Sequence, residues 1–164
     1  MKNLLKAFLL MVFTIGAIQN ADAQSEKKKD KIIADAAEAK AEFIKGDWQM
    51  EKHFSNAHGY VIFPNVGKGG IGIGGAAGNG VVYENGAAIG MAKLSQLSIG
   101  FQWGGQAYRE IIFFETKETM DRFKDSKVEL SAQASAVAVT AGASADAKYS
   151  DGVMIFTMQK GGLM

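Results

Sequence analysis

The spacing of apolar positions changes along this chain, and each change predicts a different element. Over residues 31–46 helix formers dominate. Ile33, Ala37, Ala41 and Ile44 share one stripe at three- and four-residue spacing, with Ala36 and Phe43 beside it. That spacing predicts an amphipathic helix. Gly46 is placed to stop it, and Asp47 to cap a second short helix over residues 48–54. From Gly59 the apolar residues fall instead into short runs between Gly, Pro and Asn. Tyr60 to Phe63 meets Pro64 and then Asn65-Val66-Gly67-Lys68-Gly69-Gly70. Ile71 to Ala77 alternates isoleucine or alanine with glycine, and Gly80 to Tyr83 follows Gly78-Asn79. Such runs predict strands joined by tight turns, a glycine-rich meander at the centre of the chain.

Further on, Glu84-Asn85-Gly86 carries the Asn-Gly signal of a two-residue hairpin. Residues 87–99 continue as strand, with a break near Lys93 to Gln96. Glu110 to Phe114 is a continuous apolar run of the kind a buried strand shows. Residues 116–123 return to helical spacing, with Thr116 as cap and Met120 and Phe123 facing inward. Residues 128–139 alternate with period two: Val128, Leu130, Ala132, Ala134, Ala136 and Ala138 fall on one face, which predicts a strand. Residues 152–158 form a last strand run. The fold class expected is α+β: an N-terminal helical arm packed on a glycine-rich, mainly antiparallel β-sheet or half-barrel. The arm is rich in alanine and needs a surface to pack on. The alternative for it is a basic amphipathic element that meets a membrane.

Composition narrows the picture. The 164 residues carry 48% hydrophobic side chains, 20 glycines, one proline and no cysteine. The absence of cysteine excludes disulfides, thiol nucleophiles, thiolate metal sites and a lipid-bearing N-terminal cysteine. His53 and His58 are too few for an all-histidine metal centre. At the start, Lys2 and Lys6 precede a twelve-residue apolar run, Ala7 to Ile18, and Ala21-Asp22-Ala23 puts small residues where signal peptidase reads. Residues 1–23 therefore read as a signal peptide cut before Gln24. The run is too short to span a bilayer, which takes ~20 residues. The expected organisation is a signal peptide at 1–23, a basic polar linker at 24–31 and a domain over 32–164. The formal net charge is +1, and removing Lys2, Lys6 and Asp22 takes it to zero. That balance argues against bulk nucleic-acid binding, so an electrostatic partner has to meet a local patch.

Several sets of residues carry candidate chemistry. Gly70, Gly72 and Gly75 satisfy G-x-G-x-x-G, but a dinucleotide site needs a helix to follow. Glycines at 74, 75, 78 and 80 oppose a helix, and Val81-Val82-Tyr83 favours strand. Lys68 is followed by Gly69, so no phosphate-loop G-K-[ST] exists either. Next, Lys27, Lys28, Lys29 and Lys31 make a basic cluster, which is either a solvated linker or a site for anionic headgroups. Trp48 is either core or a membrane anchor. Finally, Gly59-Tyr-Val-Ile-Phe-Pro-Asn-Val-Gly-Lys-Gly-Gly70 is echoed by Gly152-Val-Met-Ile-Phe-Thr-Met-Gln-Lys-Gly-Gly162. Lys68 and Lys160 would each sit in a turn beside glycine N–H groups, an arrangement able to hold an anion. If the two echoing strands are neighbours, a headgroup fits between the lysines. An enzyme reading would rest on His53, His58 and Glu51. On a helix Glu51 and His53 do not share a face, and no catalytic residue, cofactor or metal is expected.

The stretches Gly59 to Pro64, Gly69 to Gly75, Gly80 to Val82, Ser98-Ile-Gly-Phe-Gln102 with Gly104-Gly105, Glu129-Leu130 with Ala132 and Ala134, and Lys160-Gly161-Gly162-Leu163 together resemble the SYLF-domain family. The resemblance runs from about residue 32 to the end. It implies a non-catalytic lipid-binding module, one that in eukaryotic members binds phosphoinositides and works near actin. It also implies that the basic N-terminal region carries much of the binding, here Lys27, Lys28, Lys29 and Lys31. Similar proteins continue past the Lys-Gly-Gly-Leu turn with another strand, so the end at Met164 reads as a truncation. The function expected is a lipid-binding module of the bacterial cell envelope that recognises anionic headgroups. The alternative is a structural or oligomerising envelope protein whose flat, glycine-rich strands pair at their edges. Export to the periplasm or outside, peripheral on a membrane, completes the expectation.

Overall fold

The computed structural model describes residues 25–71, 73–99, 106–125, 137–138 and 142–160. The chain divides into a leading unit, Met1–Lys31, and a main unit, Ile32–Met164. In the leading unit residues 25–31, read above as linker, are helical.

The main unit opens with residues 32–46 as helix α1, followed by α2, Met50–Asn56. Five strands then build an antiparallel sheet: β1, Gly59–Ile71; β2, Ile73–Glu84; β3, Ala87–Ile99; β4, Gln106–Phe114; and β6, Val153–Gln159. Helix α3, Lys117–Asp125, follows β4, and the two-residue β5, Val137–Ala138, lies parallel to β6. The sheet is open, with strand order β3-β2-β1-β4-β6-β5. This is the expected α+β architecture.

The centre departs from the expected meander of short strands. Asn65 to Gly70 is not a turn, nor is Gly78-Asn79: both lie inside long strands. β1 pairs with β2 without an intervening turn from Asn65↔Asn79 to Ile71↔Ile73. The punctuating residues have other uses here. Pro64 falls where the register of β1 shifts against both neighbours, between Phe63 and Val66 on the β4 side. A bulge is where a strand tolerates proline. Several glycines face glycine or alanine across the ladder, as in Gly69↔Gly75, Gly70↔Gly74 and Gly67↔Ala77. Others make room for a neighbour. A Cβ on Gly80 would stand 2.6 Å from the Phe63 ring, and one on Gly78 2.7 Å from the Asn65 carbonyl. β3 likewise runs through Lys93 to Gln96 without the expected break. The Asn85-Gly86 hairpin forms as read, with φ of 51° and 81°, the positive values that a twist-compatible two-residue turn requires.

Each face of the sheet buries its own cluster. On the first, Tyr60, Ile62, Val81, Ile111, Phe113, Met154 and Phe156 pack against Ala36, Ala39 and Phe43 of α1 and Met50 of α2. The inward stripe of α1 is thus rotated from the expected one. Ile33 is 39% exposed, and Ala37 and Ala41 face solvent. Phe43 has more apolar surface to lose than Ile33, and burying it sets the helix phase. The alanines beside it let α1 approach the rings of the sheet. Arg109 of β4 meets Glu42 of α1 at 2.7 Å, and Lys40 donates to the Tyr60 hydroxyl at 3.1 Å. The second face holds Val61, Phe63, Val66, Ala76, Val82, Leu94, Ile112, Phe114, Val153 and Ile155, with Met120 of α3 at one end. Thr116 caps α3 as expected, its Oγ1 accepting from the Thr119 N–H. Of the predicted strand over 128–139, only Val137–Ala138 lies within the described residues.

Candidate functional site

The lysines of the basic cluster sit on helical residues of the leading unit, and Lys27, Lys28, Lys29 and Lys31 are all exposed. Lys27 and Lys31 are one helical turn apart and so share a face. Lys29 meets Glu26 at 2.7 Å in an exposed pair, a contact of small energetic weight.

Trp48 stands in the main unit on the turn between α1 and α2 and is 75% exposed, far beyond any other large apolar residue described. The turn is held from below. Asp47 is 1% exposed and Met50 fully buried. Asp47 was expected to cap α2, but α2 starts at Met50 with Gln49 in the cap position and no side-chain cap bond. Asp47 Oδ1 accepts from the Gln49 N–H at 3.1 Å. Its Oδ2 accepts from the Ser144 N–H at 2.9 Å and from the Ser144 hydroxyl at 2.7 Å. Burial pushes the Asp47 carboxyl up, but these bonds and one from the Gly142 N–H outweigh it and hold the group below its ordinary range. His53 Nε2 contacts the Ser144 carbonyl at 3.0 Å, with its ring against Phe113 and Phe156. The three side chains thus clamp the 142–147 segment onto the corner. The histidine meets the serine's backbone and not its hydroxyl, so the arrangement is not that of an activated nucleophile.

His58 takes part in a separate cluster at the hairpin end. Its Nε2 lies 3.1 Å from Glu84 Oε1, and Lys124 of α3 lies 3.2 Å from Glu84 Oε2. The Lys124 and His58 hydrogen bonds hold the Glu84 carboxyl below its usual range. His53, His58 and Glu51 therefore have different surroundings, and no grouping able to hold a metal occurs among the described residues.

Lys68 and Lys160 are at one end of the sheet but not side by side. Lys68 pairs in register with Gln106 of β4, and the Lys160 N–H donates to the Ala107 carbonyl at 3.0 Å. β4 lies between their strands, so the echoing strands are not neighbours. Lys68 shares parity with Val66 and pairs with Ala76, both in the second cluster. Lys160 shares parity with Met158 and Phe156 of the first face, and its Nζ donates to Asn65 Oδ1. The two ammonium groups belong to opposite faces and do not form the expected cradle. Lys68 lies in a strand, and residues 161–164, on which the second expected turn falls, lie outside the described residues.

Sequence reasoning did not single out Glu110. It lies on β4 between Phe63 of β1 and Thr157 of β6, with Tyr108 and Ile112 two residues away on the same face. It is 5% exposed, and no side-chain hydrogen bond or ion pair holds its carboxyl among the described residues. Burial pushes its carboxyl up to about 7. Burial together with the Glu110 charge pushes the Tyr108 phenol up to about 12. Period two was the signal that could have found it, since Tyr108, Glu110, Ile112 and Phe114 alternate with the opposite face.

Residues 95–163 match the family model described as Ysc84, Las17-binding protein actin regulator. The match takes in Ser98 to Gln102, Gly104-Gly105, Glu129-Leu130 and Lys160 to Leu163, while the glycine-rich stretch from Gly59 to Tyr83 lies ahead of it. No curated protein matches the chain.

Proposed function

We propose, from the match of residues 95–163 to that family model and the resemblance of the chain to the SYLF-domain family, that it is a non-catalytic lipid-binding module of the cell envelope recognising anionic headgroups. The family is one of binding domains, associated with lipids and with actin regulators. Export, the reading that residues 1–23 favour, would take the chain away from cytosolic actin, so the lipid side is the one carried over here. The observation that carries the reading is the set of exposed lysines, Lys27, Lys28, Lys29 and Lys31, on helical residues. Near an anionic surface each basic residue adds about 1 kcal/mol, screened beyond a Debye length of ~10 Å at 0.1 M salt.

Cosedimentation of the chain beginning at Gln24 tests this, with phosphatidylglycerol vesicles against phosphatidylcholine vesicles. We expect preferential binding to the anionic vesicles. Changing all four lysines to glutamine should weaken it at least tenfold at low salt and little at high salt. No sedimentation with either vesicle sinks the lipid reading, while unchanged binding of the quadruple variant removes the lysines from it.

A second reading, an oligomerising envelope protein, draws on β3. This 13-residue strand is an edge of the sheet among the described residues and exposes Ile89 at 48% and Met91 at 40%. Sedimentation-velocity runs that show a monomer across a hundredfold concentration range would dismiss it.

A further inference from the structure

The corner between α1 and α2 combines three features. Trp48 is 75% exposed. Lys45, three residues before it, and Lys52, four after it, are exposed, and neither is engaged by a hydrogen bond or ion pair among the described residues. The corner is also fixed: Asp47 is bonded to Ser144 and Gln49, and Met50 is buried in the first-face cluster. A tryptophan presented this way needs no reordering of the turn before it makes a contact, which lowers the entropic cost of binding.

The charge around it is positive. Asp47 is turned inward and its oxygens are occupied. Glu51 is exposed beside Lys52, and Asp146 and Lys148 of the neighbouring segment are exposed and offset each other. That leaves Lys45 and Lys52 against Glu51. The corner lacks the contiguous apolar area that a protein partner would bury, ~800 Å² on each side, because no other large apolar residue is exposed there among the described residues. One aromatic ring with a polar N–H, flanked by cations, suits the headgroup layer of a bilayer instead, where the ring sits at the interface and the ammonium groups reach phosphates.

We propose that the α1–α2 corner is a membrane contact in its own right, in which Trp48 enters the headgroup layer of an anionic bilayer while Lys45 and Lys52 take its phosphates. The inference rests on the lipid-binding reading and adds to it the part of the main unit that touches the surface. Contact at this corner would fix the main unit on the membrane, and the Trp48 indole is a built-in reporter of it.

The test uses the chain from Gln24 carrying Trp103→Phe, so that Trp48 is the remaining indole. With phosphatidylglycerol vesicles its emission should shift to the blue and be quenched by lipids brominated near the carbonyl end of the acyl chain. In the otherwise unchanged chain, Trp48→Ala should weaken sedimentation roughly five- to tenfold, the scale of one aromatic side chain removed from an interface, with the melting temperature kept. The Lys45→Gln, Lys52→Gln double variant should weaken binding at low salt only. Vesicle binding by the Trp103→Phe chain without change in Trp48 emission, or binding by Trp48→Ala equal to wild type, overturns the corner and leaves the lipid reading standing. No binding by the wild-type chain to any vesicle overturns both.

Discussion

On one face of the sheet, Tyr60, Ile62, Phe113 and Phe156 are covered by Ala36, Ala39 and Phe43 of α1 and Met50 of α2. On the other, Val61, Phe63, Ile112 and Ile155 share a cluster with Met120 and Phe123 of α3, which lie at the Gly59 and Phe114 end. Each face also encloses a carboxyl group. Asp47, beside the first, accepts hydrogen bonds from Ser144 and Gln49. The Glu110 carboxyl, on the second, is 5% exposed and has no protein partner among the described residues, so what solvation it keeps comes from water. The same kind of group, buried on both sides, is favoured in its charged form on one and disfavoured on the other. What separates the two cases is whether donors were folded in with it.

The largest effect that bears on this comparison is expected at Phe43. Replacing a fully buried phenylalanine by alanine costs about 3–5 kcal/mol, which for a chain of this size lowers the melting temperature by roughly 10 °C. Phe123→Ala, a half-buried ring on the other face, should cost clearly less. Thermal melts showing equal losses would mean that the two faces do not differ in how much α1 and α3 contribute.

Asp47 comes next. Asp47→Ala strips acceptors from the Ser144 N–H, the Ser144 hydroxyl and the Gln49 N–H, and each buried donor left unpaired costs ~1–3 kcal/mol. The three donors share one site and their losses do not add in full, so the net loss should be about 2–4 kcal/mol. The carboxyl is held below its ordinary value in the folded chain. Its contribution is therefore present above the unfolded value of ~3.9 and is lost as pH falls through the folded one. The gap between wild type and variant, measured by urea melts, should be full at pH 7 and should narrow below pH 4. A gap that stays constant to pH 2 would show that packing of the 142–147 segment carries the effect.

Much of this was legible because it is local. Asn85-Gly86 names its hairpin, Thr116 its cap, and Ile111 to Phe114 their strand. What escaped is settled by residues far apart in sequence. Ser144 lies 97 positions from Asp47, and nothing near Asp47 distinguishes that bond from an ordinary helix cap. The glycines were read as turns because glycine, proline and asparagine usually punctuate. Here Gly80 is required by the Phe63 ring on the neighbouring strand, and Gly69 faces Gly75 across the ladder, relations visible only once the strands are paired. The phase of α1 failed for a different reason, since a count of apolar positions gave Ile33 the same weight as Phe43. Among the candidate site residues, exposed charge was easy to find at 27–31, but the placement of Lys68 depended on the same misread turn.

The smallest of the three effects, and the one with the opposite pH sense, belongs to Glu110. Its carboxyl is pushed by burial from an ordinary 4.5 up to about 7, so folding favours the protonated form. The stability linked to it is complete below pH 4.5 and is lost as pH rises through about 7. Glu110→Gln keeps the shape, removes the ionisation and provides an amide that needs no charge compensation. The variant should match wild type at pH 4 and exceed it by about 1–3 kcal/mol at pH 8, a shift of one pKa unit being worth about 1.4 kcal/mol. The quantity to read is the difference between variant and wild type at each pH, which isolates this one carboxyl. Tyr108, the titratable neighbour on the same face, is pushed up to about 12 and stays neutral throughout. Lys68 lies at the end of that face, and a cation moving toward Glu110 would lower the carboxyl again. Adding Lys68→Met should therefore leave the Glu110→Gln gain unchanged if the two are uncoupled, and enlarge it if the ammonium already compensates the charge. A Glu110→Gln chain no more stable than wild type at pH 8 would show that the carboxyl has a donor after all, and the contrast between the two faces would fall with it.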